Sequence, residues 1–202
     1  MKKLLTTLLV VTLAGCQQAS TGANVESVEQ STDKQVEEKK VEKPEEPKKK
    51  YWTCPDCSME EQHVLEQLQK RAEITDKHAL ATIMGNIKQE SKFYPNICEG
   101  GARVPYHHCH SGGYGLIQWT THRRYHGLGH FSTNYECDPS SLECQTRYMI
   151  NELEFQKNLH KFKTVGQSIS YYMNAAYYWL GWGIEGPRVH YINQYLSKMV
   201  FT

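Results

Sequence analysis

The distribution of aromatic residues limits where this chain can form a folded core. All 13 Tyr, 4 Trp and 5 Phe among the 202 residues lie at or beyond Tyr51. Aromatic side chains bury large apolar areas and dominate the energetics of protein cores. The core must therefore form within residues 51–202, a length typical of one domain. The formal net charge of +1 argues against a nucleic-acid-binding protein that relies on bulk electrostatic attraction.

The first fifteen residues have the pattern of a secretory signal peptide. Lys2 and Lys3 precede an apolar run, residues 4–13, that is too short to span a bilayer comfortably. The run leads into Leu-Ala-Gly followed by Cys16, which resembles the lipobox of bacterial lipoproteins. This resemblance implies cleavage before Cys16 and attachment of a diacylglyceryl group to its sulfur. A plain signal peptide with a chance cysteine is the alternative.

The segment after the signal peptide is predicted to be a lipidated, disordered tether, residues 16–50. Residues 17–50 contain no Leu, Ile or aromatic residue, and their eight acidic residues are interspersed with seven basic ones. Such a segment cannot bury enough apolar surface to offset the entropy lost on ordering. We therefore expect a signal peptide (1–15), a membrane-anchored tether (16–50) and a folded domain (51–202). Gln17 favours the outer membrane, facing the periplasm, if the host is Gram-negative.

Six further cysteines predict disulfide bonds, because their number is even and the chain carries an export signal. They are Cys54, Cys57, Cys98, Cys109, Cys137 and Cys144. Six cysteines allow 15 pairings, and proximity in the sequence suggests the first with the second, the third with the fourth and the fifth with the sixth. A zinc site built from some of these cysteines, or from residues 107–110, is the alternative. It is disfavoured because no second Cys-x-x-Cys follows and adjacent histidines cannot all point at one ion, so no metal or other cofactor is expected.

Apolar periodicity predicts a mainly helical domain. Residues 94–115 are rich in Gly, Pro and His and lack periodicity, so they are expected to form a long loop that is functional or held by disulfides. The sequence shows no convincing alternating strand pattern, and the β-structure that it allows is a small hairpin within residues 100–118. Helices are expected over residues 58–73, after a cap at Thr75 or Asp76, from a capping box at Ser140 to about residue 160, from Thr164, and after Pro187. The apolar stripe of the second helix includes Ile83 and Ile87.

Glu90 places a carboxyl group on an apolar helix face. At 100° per residue it projects within about 20° of Ile83 and about 60° of Ile87. A buried carboxylate is costly, and burial raises the pKa of a carboxyl group toward the range that a general acid needs. The alternative is a position at the helix end, where the apolar face meets water and a charge costs little.

Several motifs around Glu90 resemble the phage tail lysozyme family. In order, they are a Gly-Asn helix ending in Glu-Ser, an aromatic-x-Pro, a Tyr-Gly-x-x-Gln-Trp and a Gln-x-x-aromatic-x-x-x-Glu-Leu helix. The family belongs to the lysozyme-like superfamily, with soluble lytic transglycosylases and goose-type lysozyme. The likeness covers roughly residues 76–200 and implies a lysozyme-like fold, Glu90 as the catalytic acid and peptidoglycan glycan strands as the substrate.

The resemblance also implies residues that bind the substrate. Ser91 follows the acid as the motif requires, and Gln118 lies where the superfamily has a cleft glutamine. Tyr114 and Trp119 are expected to stack on sugar faces, with turn or core packing as the alternative. Arg123 and Arg124, in contrast, are expected to mark a solvated helix start, with contact to the peptide stem of peptidoglycan as the alternative.

Two further contacts, Tyr172 and Asn174, lie in a segment that loosely resembles a transglycosylase site element, and packing is again the alternative. The expected reaction is cleavage of the β-1,4 bond between N-acetylmuramic acid and N-acetylglucosamine, with Glu90 protonating the leaving oxygen. No motif places a second carboxylate, so a lytic transglycosylase that forms 1,6-anhydro ends is an alternative. A non-catalytic, lipid-anchored module that binds peptidoglycan is another, and a phage or secretion-machine partner is not identified by the sequence.

Overall fold

The structure is a computed structural model that describes residues 49–110 and 112–202. The predictions for Cys16, the signal peptide 1–15 and the tether up to residue 48 lie outside the described residues. Within this part of the chain, no helix is long and apolar enough to cross a membrane. The elements are strand β1 Trp52–Thr53, helices α1 Met59–Lys70 and α2 Lys77–Ser91, a 3-10 helix Tyr106–His108, helices α3 His122–Asn134, α4 Leu142–Asn151, α5 Leu153–Lys163, α6 Ile169–Leu180 and α7 Arg188–Lys198, and strand β2 Val200–Phe201.

Helix α2 forms the centre of the domain. Asp76 begins it, with a carboxylate that accepts a hydrogen bond from the Ala79 amide at 3.0 Å. Every residue over 79–87 is buried. Helix α7 packs so closely that a Cβ at Gly85 would lie 2.6 Å from the Ile192 side chain. Glycine is therefore needed at this crossing, since a well-packed interior has no room for the extra atom.

Glu61 joins α1 to α2 and α7. Its carboxylate accepts hydrogen bonds from Lys88 Nζ at 2.7 Å and from the Tyr195 hydroxyl at 2.6 Å. It also closes a capping box with Ser58 at the start of α1. The hydrogen bonds from Lys88, Tyr195 and Ser58 together offset the cost of burying this charge and lower the pKa of the carboxyl group, so Glu61 links three helices.

A second buried carboxylate, that of Glu152, lies between α4 and α5. It accepts hydrogen bonds from the indole nitrogens of Trp119 at 3.1 Å and Trp179 at 3.0 Å. Arg124 adds two more, from Nε at 3.0 Å and from Nη2 at 2.5 Å. One side chain thus joins the segment before α3, helix α3 itself and helix α6.

The predicted mainly helical class is confirmed, but one predicted helix is wrong. The helix expected from Ser140 to about residue 160 is two helices, because Glu152 has an extended backbone with φ −67° and ψ 149°. This break lets the Glu152 side chain reach its buried donors. The cap is Ser141, whose hydroxyl accepts from the Cys144 amide, and Ser168 begins α6 in place of Thr164.

The β-structure also differs from expectation. In the described part of the long loop there are isolated bridges, Ile97 to Arg103 and Cys98 to Tyr114, and no hairpin strands. The antiparallel pair of β1 and β2 was not predicted, because two-residue strands carry no alternating pattern.

The disulfides follow the pairing suggested by sequence proximity. Bonds join Cys54 to Cys57, Cys98 to Cys109 and Cys137 to Cys144. These bonds use the thiols considered for a zinc site. Among the described residues, moreover, no group of three or more His, Cys, Asp or Glu side chains is arranged to hold a metal ion.

Replacing Glu152 should strongly destabilise the domain. Glu152→Gln removes the charge that compensates Arg124, whose side chain is only 11% exposed, and we expect the free energy of unfolding to fall by about 3–5 kcal/mol. Denaturant-induced unfolding of the full chain measures this loss. The matched control is Glu154→Gln, which breaks a surface pair with Arg123 and should cost less than about 1 kcal/mol. Equally small losses in both variants would contradict the assignment.

Candidate active site

Glu90 lies in the last turn of α2 with a side chain that is 17% exposed. Its Oε1 accepts a hydrogen bond from Nη2 of Arg188, the first residue of α7. The sequence offered two alternatives for this carboxyl group, a buried apolar face or the helix end. The structure combines them, since the group is at the helix end and is also largely shielded from water. A group with this degree of exposure is partly shielded yet still accessible to a ligand.

Burial raises the pKa of the Glu90 carboxyl group above the ordinary glutamate value. The positive charges of Arg188 and, to a smaller extent, Arg124 lower the pKa, but the effect of burial is larger. Glu90 therefore keeps its proton to a higher pH than a solvated glutamate does. This protonated form is the one that a general acid requires.

Arg188 is itself buried, with 4% of its side chain exposed. Its Nε donates to Asn86 Oδ1 at 2.9 Å, and its Nη1 donates to the carbonyl oxygens of Ile184 at 3.1 Å and Glu185 at 2.6 Å. The guanidinium carbon also lies 4.5 Å from the ring centroid of Trp182. Arg188 therefore fixes the segment before α7 against the end of α2.

Sequence reasoning missed Arg188, although one signal was present. A cation in the first turn of a helix faces the positive end of the helix dipole, which is electrostatically unfavourable. An arginine directly after Pro187 therefore needs a compensating partner. Nothing local in the sequence identifies that partner as Glu90, which lies 98 positions earlier.

The backbone after Glu90 has an uncommon conformation. Lys92 and Phe93 have φ values of 53° and 66°, in the left-handed region that is costly for residues other than glycine and that clusters at functional sites. The Ser91 hydroxyl stabilises this turn, accepting from the Phe93 amide at 3.1 Å and donating to the Leu116 carbonyl at 2.8 Å. Ser91 is 2% exposed, so its hydroxyl joins α2 to the neighbouring loop and is not available to a sugar.

The loop that contains Gln118 is held by a glutamine from α4. Gln145 Oε1 accepts from the Leu116 amide at 2.9 Å, and a Cβ at Gly115, which has φ 74°, would lie 2.4 Å from the same oxygen. Gln118 also has a left-handed backbone, with φ 51°, and its Nε2 donates to the carbonyl oxygen of Gly115 at 3.1 Å. Gln118 is partly exposed, so the expected substrate contact is sterically open to it.

Three aromatic residues expected to contact the sugar lie in the core. Tyr114, Trp119 and Tyr172 are each 0% exposed, so none presents a ring face to a ligand in this structure. These three residues therefore follow the alternative prediction of core packing. The hydroxyl group or indole nitrogen of each donates a hydrogen bond to a partner inside the protein. Those partners are the Val104 carbonyl for Tyr114, the Glu152 carboxylate for Trp119 and the Thr164 carbonyl for Tyr172.

Of the two arginines at the start of α3, one is solvated as predicted and the other is buried. Arg123 is 64% exposed and pairs with Glu154, which fits a solvated helix start. Arg124 is 11% exposed and binds Glu152, so its charge lies inside the domain. The interior position explains why the Arg124 charge also acts on Glu90.

Asn174, the last predicted contact, is exposed. It lines an open groove with a volume of about 590 Å³, which we call the α6–α7 groove. Tyr177 and Trp182 line the same groove. Since Trp182 contacts Arg188, the groove adjoins the ion pair that Arg188 makes with Glu90.

A buried central helix that ends in a shielded glutamate, enclosed by further helices and a disulfide-held loop, defines a lysozyme-like helical domain. The family model described as phage tail lysozyme matches residues 60–189, which is more than half of the chain. The chain therefore belongs to the phage tail lysozyme family, and the resemblance seen in its motifs is confirmed. The match starts within α1, earlier than the motifs indicated, and membership implies a lysozyme-like, peptidoglycan-cleaving enzyme. No curated protein and no solved structure matches the chain.

Removing the charge of Arg188 should raise the pKa of Glu90 further. In Arg188→Gln the carboxylate loses its nearest positive charge, so its protonated form is favoured to a higher pH. Titration of the Glu90 side-chain carboxyl carbon by NMR in both proteins measures the shift. Arg188→Lys, which keeps the charge but not the guanidinium fork, should move the midpoint less. An unchanged or lower midpoint in a folded Arg188→Gln protein would contradict this electrostatic assignment.

Proposed function

We propose that the chain is a muramidase that cleaves the β-1,4 bond between N-acetylmuramic acid and N-acetylglucosamine, with Glu90 as the general acid. The observation that carries this proposal is the shielded Glu90 carboxyl group at the end of α2, whose pKa is raised by burial. Membership of the phage tail lysozyme family supports peptidoglycan as the substrate.

Glu90 and Arg188 act together in the proposed step. Glu90 donates its proton to the glycosidic oxygen as an oxocarbenium-like centre develops on the sugar. The carboxylate that results is stabilised by the Arg188 guanidinium, which already hydrogen-bonds it. Burial favours the protonated acid before the step, and Arg188 stabilises the anion after it.

The fate of the sugar depends on whether a second carboxylate takes part. Glu185 is the candidate for the second carboxylate that hydrolysis uses. It is exposed, lies just before α7, and its negative charge acts on Arg188, the partner of Glu90. In this mechanism a carboxylate activates water or forms a covalent intermediate. Glu152 is unsuited to that role, since its oxygens are occupied by Trp119, Trp179 and Arg124.

A lytic transglycosylase is the second candidate. Such an enzyme uses one glutamate first as acid and then as base, and the C6 hydroxyl of the sugar attacks to form a 1,6-anhydro end. The charges that shift the pKa of Glu90 in the described structure belong to arginines, Arg188 and Arg124, and this favours a single-carboxylate mechanism.

The proposal includes a membrane anchor at Cys16. A lipid on this cysteine holds the chain at the membrane, and the tether over residues 17–50 spans on the order of 100 Å when fully stretched. The domain can then search a nearby peptidoglycan layer. In a Gram-negative host the location is the outer membrane, facing the periplasm, and this part of the proposal is supported by the sequence pattern alone.

Glu90→Gln tests the proposed acid directly. The amide keeps the shape of the side chain but has no acidic proton, so we expect release of soluble fragments from peptidoglycan to slow by about 10²–10⁴-fold. The matched control is Glu143→Gln, an exposed residue in the first turn of α4, which should cleave at the wild-type rate. A folded Glu90→Gln protein that cleaves at the wild-type rate would overturn Glu90 as the acid. A wild-type protein that releases no soluble fragments would instead favour a non-catalytic binding module.

Mass spectrometry of the wild-type digestion products separates the two reactions. Hydrolysis adds one water to each cleaved bond, whereas transglycosylation gives 1,6-anhydro products that are lighter by that water. Products with ordinary reducing ends support the muramidase, and a digest dominated by anhydro ends would replace it with the transglycosylase.

A further inference from the structure

We propose that the α6–α7 groove is a glycan-binding subsite, with Trp182 and Tyr177 as its aromatic contacts. This inference rests on the proposed function, because the ligand it assigns is the glycan strand that Glu90 cleaves. The volume of the groove, about 590 Å³, lies within the range of small-molecule sites in proteins.

The side chains that line the groove suit an N-acetylated sugar. Tyr177 is 47% exposed, and its ring lies 5.5 Å from that of Trp182 with an interplanar angle of 82°, so the two rings form a corner. The C–H face of a pyranose packs on such rings. Asn174, Asn193 and Glu185 also line the groove and supply donors and acceptors for the acetamido and hydroxyl groups.

Exposed apolar groups mark the same surface. Val189, which lines the groove, is 40% exposed, and Ile184, two residues after Trp182, is 84% exposed. Clusters of exposed large apolar residues in a soluble domain commonly mark a binding site. The buried Tyr114 and Trp119 are in the core, whereas Tyr177 is exposed and Trp182 is partly exposed.

The groove is joined to Glu90 through buried side chains. Arg188 lies against the Trp182 ring and hydrogen-bonds Glu90. Asn86 accepts from Arg188 and donates to the sulfur of Met173 at 3.4 Å, and Met173 lines the groove. The groove is therefore connected to the Glu90 carboxyl group through the contacts of Trp182 and Arg188, which is compatible with a subsite of the same glycan strand.

Calorimetric titration tests the subsite without cleavage. The full chain carrying Glu90→Gln is titrated with a tetrasaccharide of alternating N-acetylglucosamine and N-acetylmuramic acid. We expect Trp182→Ala and Tyr177→Ala, each added to this background, to raise the Kd at least about fivefold, as for truncated aromatic anchors. Tyr178→Ala is the matched control, because Tyr178 is 62% exposed and does not line the groove, and it should leave the Kd unchanged.

Three outcomes separate the subsite from its alternatives and from the proposed function. If Tyr177→Ala binds the tetrasaccharide with wild-type affinity and only Trp182→Ala binds it more weakly, Trp182 acts only by supporting Arg188. This result would overturn the subsite. Concentration-dependent dimerisation lost in Tyr177→Ala, without glycan binding, would assign the groove to a second copy of the chain. Failure of Glu90→Gln to reduce cleavage would overturn the acid but not the subsite, because the Kd comparison does not depend on turnover.

Kinetics in the chain that retains Glu90 provide a further check. A subsite that contributes binding equally in the ground and transition states raises KM when it is removed and leaves kcat nearly unchanged. We expect this pattern for Tyr177→Ala. A loss confined to kcat would overturn a simple binding role.

Discussion

The Glu152 carboxylate accepts hydrogen bonds from donors in three separate parts of the domain. Two indole nitrogens, those of Trp119 and Trp179, and the Arg124 guanidinium converge on it in the interior. Each of these groups is costly to bury alone, so all four are stable only together. The extended backbone at Glu152 ends α4 and places this side chain among its donors. Arg124, held by Glu152, contributes positive charge that acts on Glu90. The interaction that stabilises the domain thus also shapes the electrostatics of the candidate site.

The candidate site depends on a balance between burial and charge. Burial raises the pKa of Glu90, whereas the charges of Arg188 and Arg124 lower it. The structure combines the two, with burial as the larger effect. Arg188 is itself fixed by Asn86 and by two backbone carbonyls, so its distance from Glu90 does not depend on a mobile surface side chain. This arrangement suits an acid that must both hold and release a proton.

The features visible in the sequence were those encoded locally. Helical periodicity placed Glu90 on the apolar face of α2, cysteine spacing suggested the three disulfides, and the ordered motifs identified the family. The motifs did not show which side of the loop a residue faces, and for this reason Tyr114 and Trp119 were expected at the sugar but lie in the core. Arg188 and Trp182 were missed because their importance arises from contacts with residues distant in sequence. The break at Glu152 was missed for the same reason, since its buried donors come from three other segments.

The most direct test of the account compares the titration of Glu90 with the pH dependence of cleavage. If Glu90 is the general acid, kcat/KM for peptidoglycan falls as the pH rises through the pKa of the free enzyme's acid. The account predicts that this alkaline limb has its midpoint at the pKa of Glu90 measured by NMR in the same protein, above the ordinary glutamate value. A Glu90 that titrates at or below the ordinary value, or an alkaline limb with a different midpoint, would contradict it.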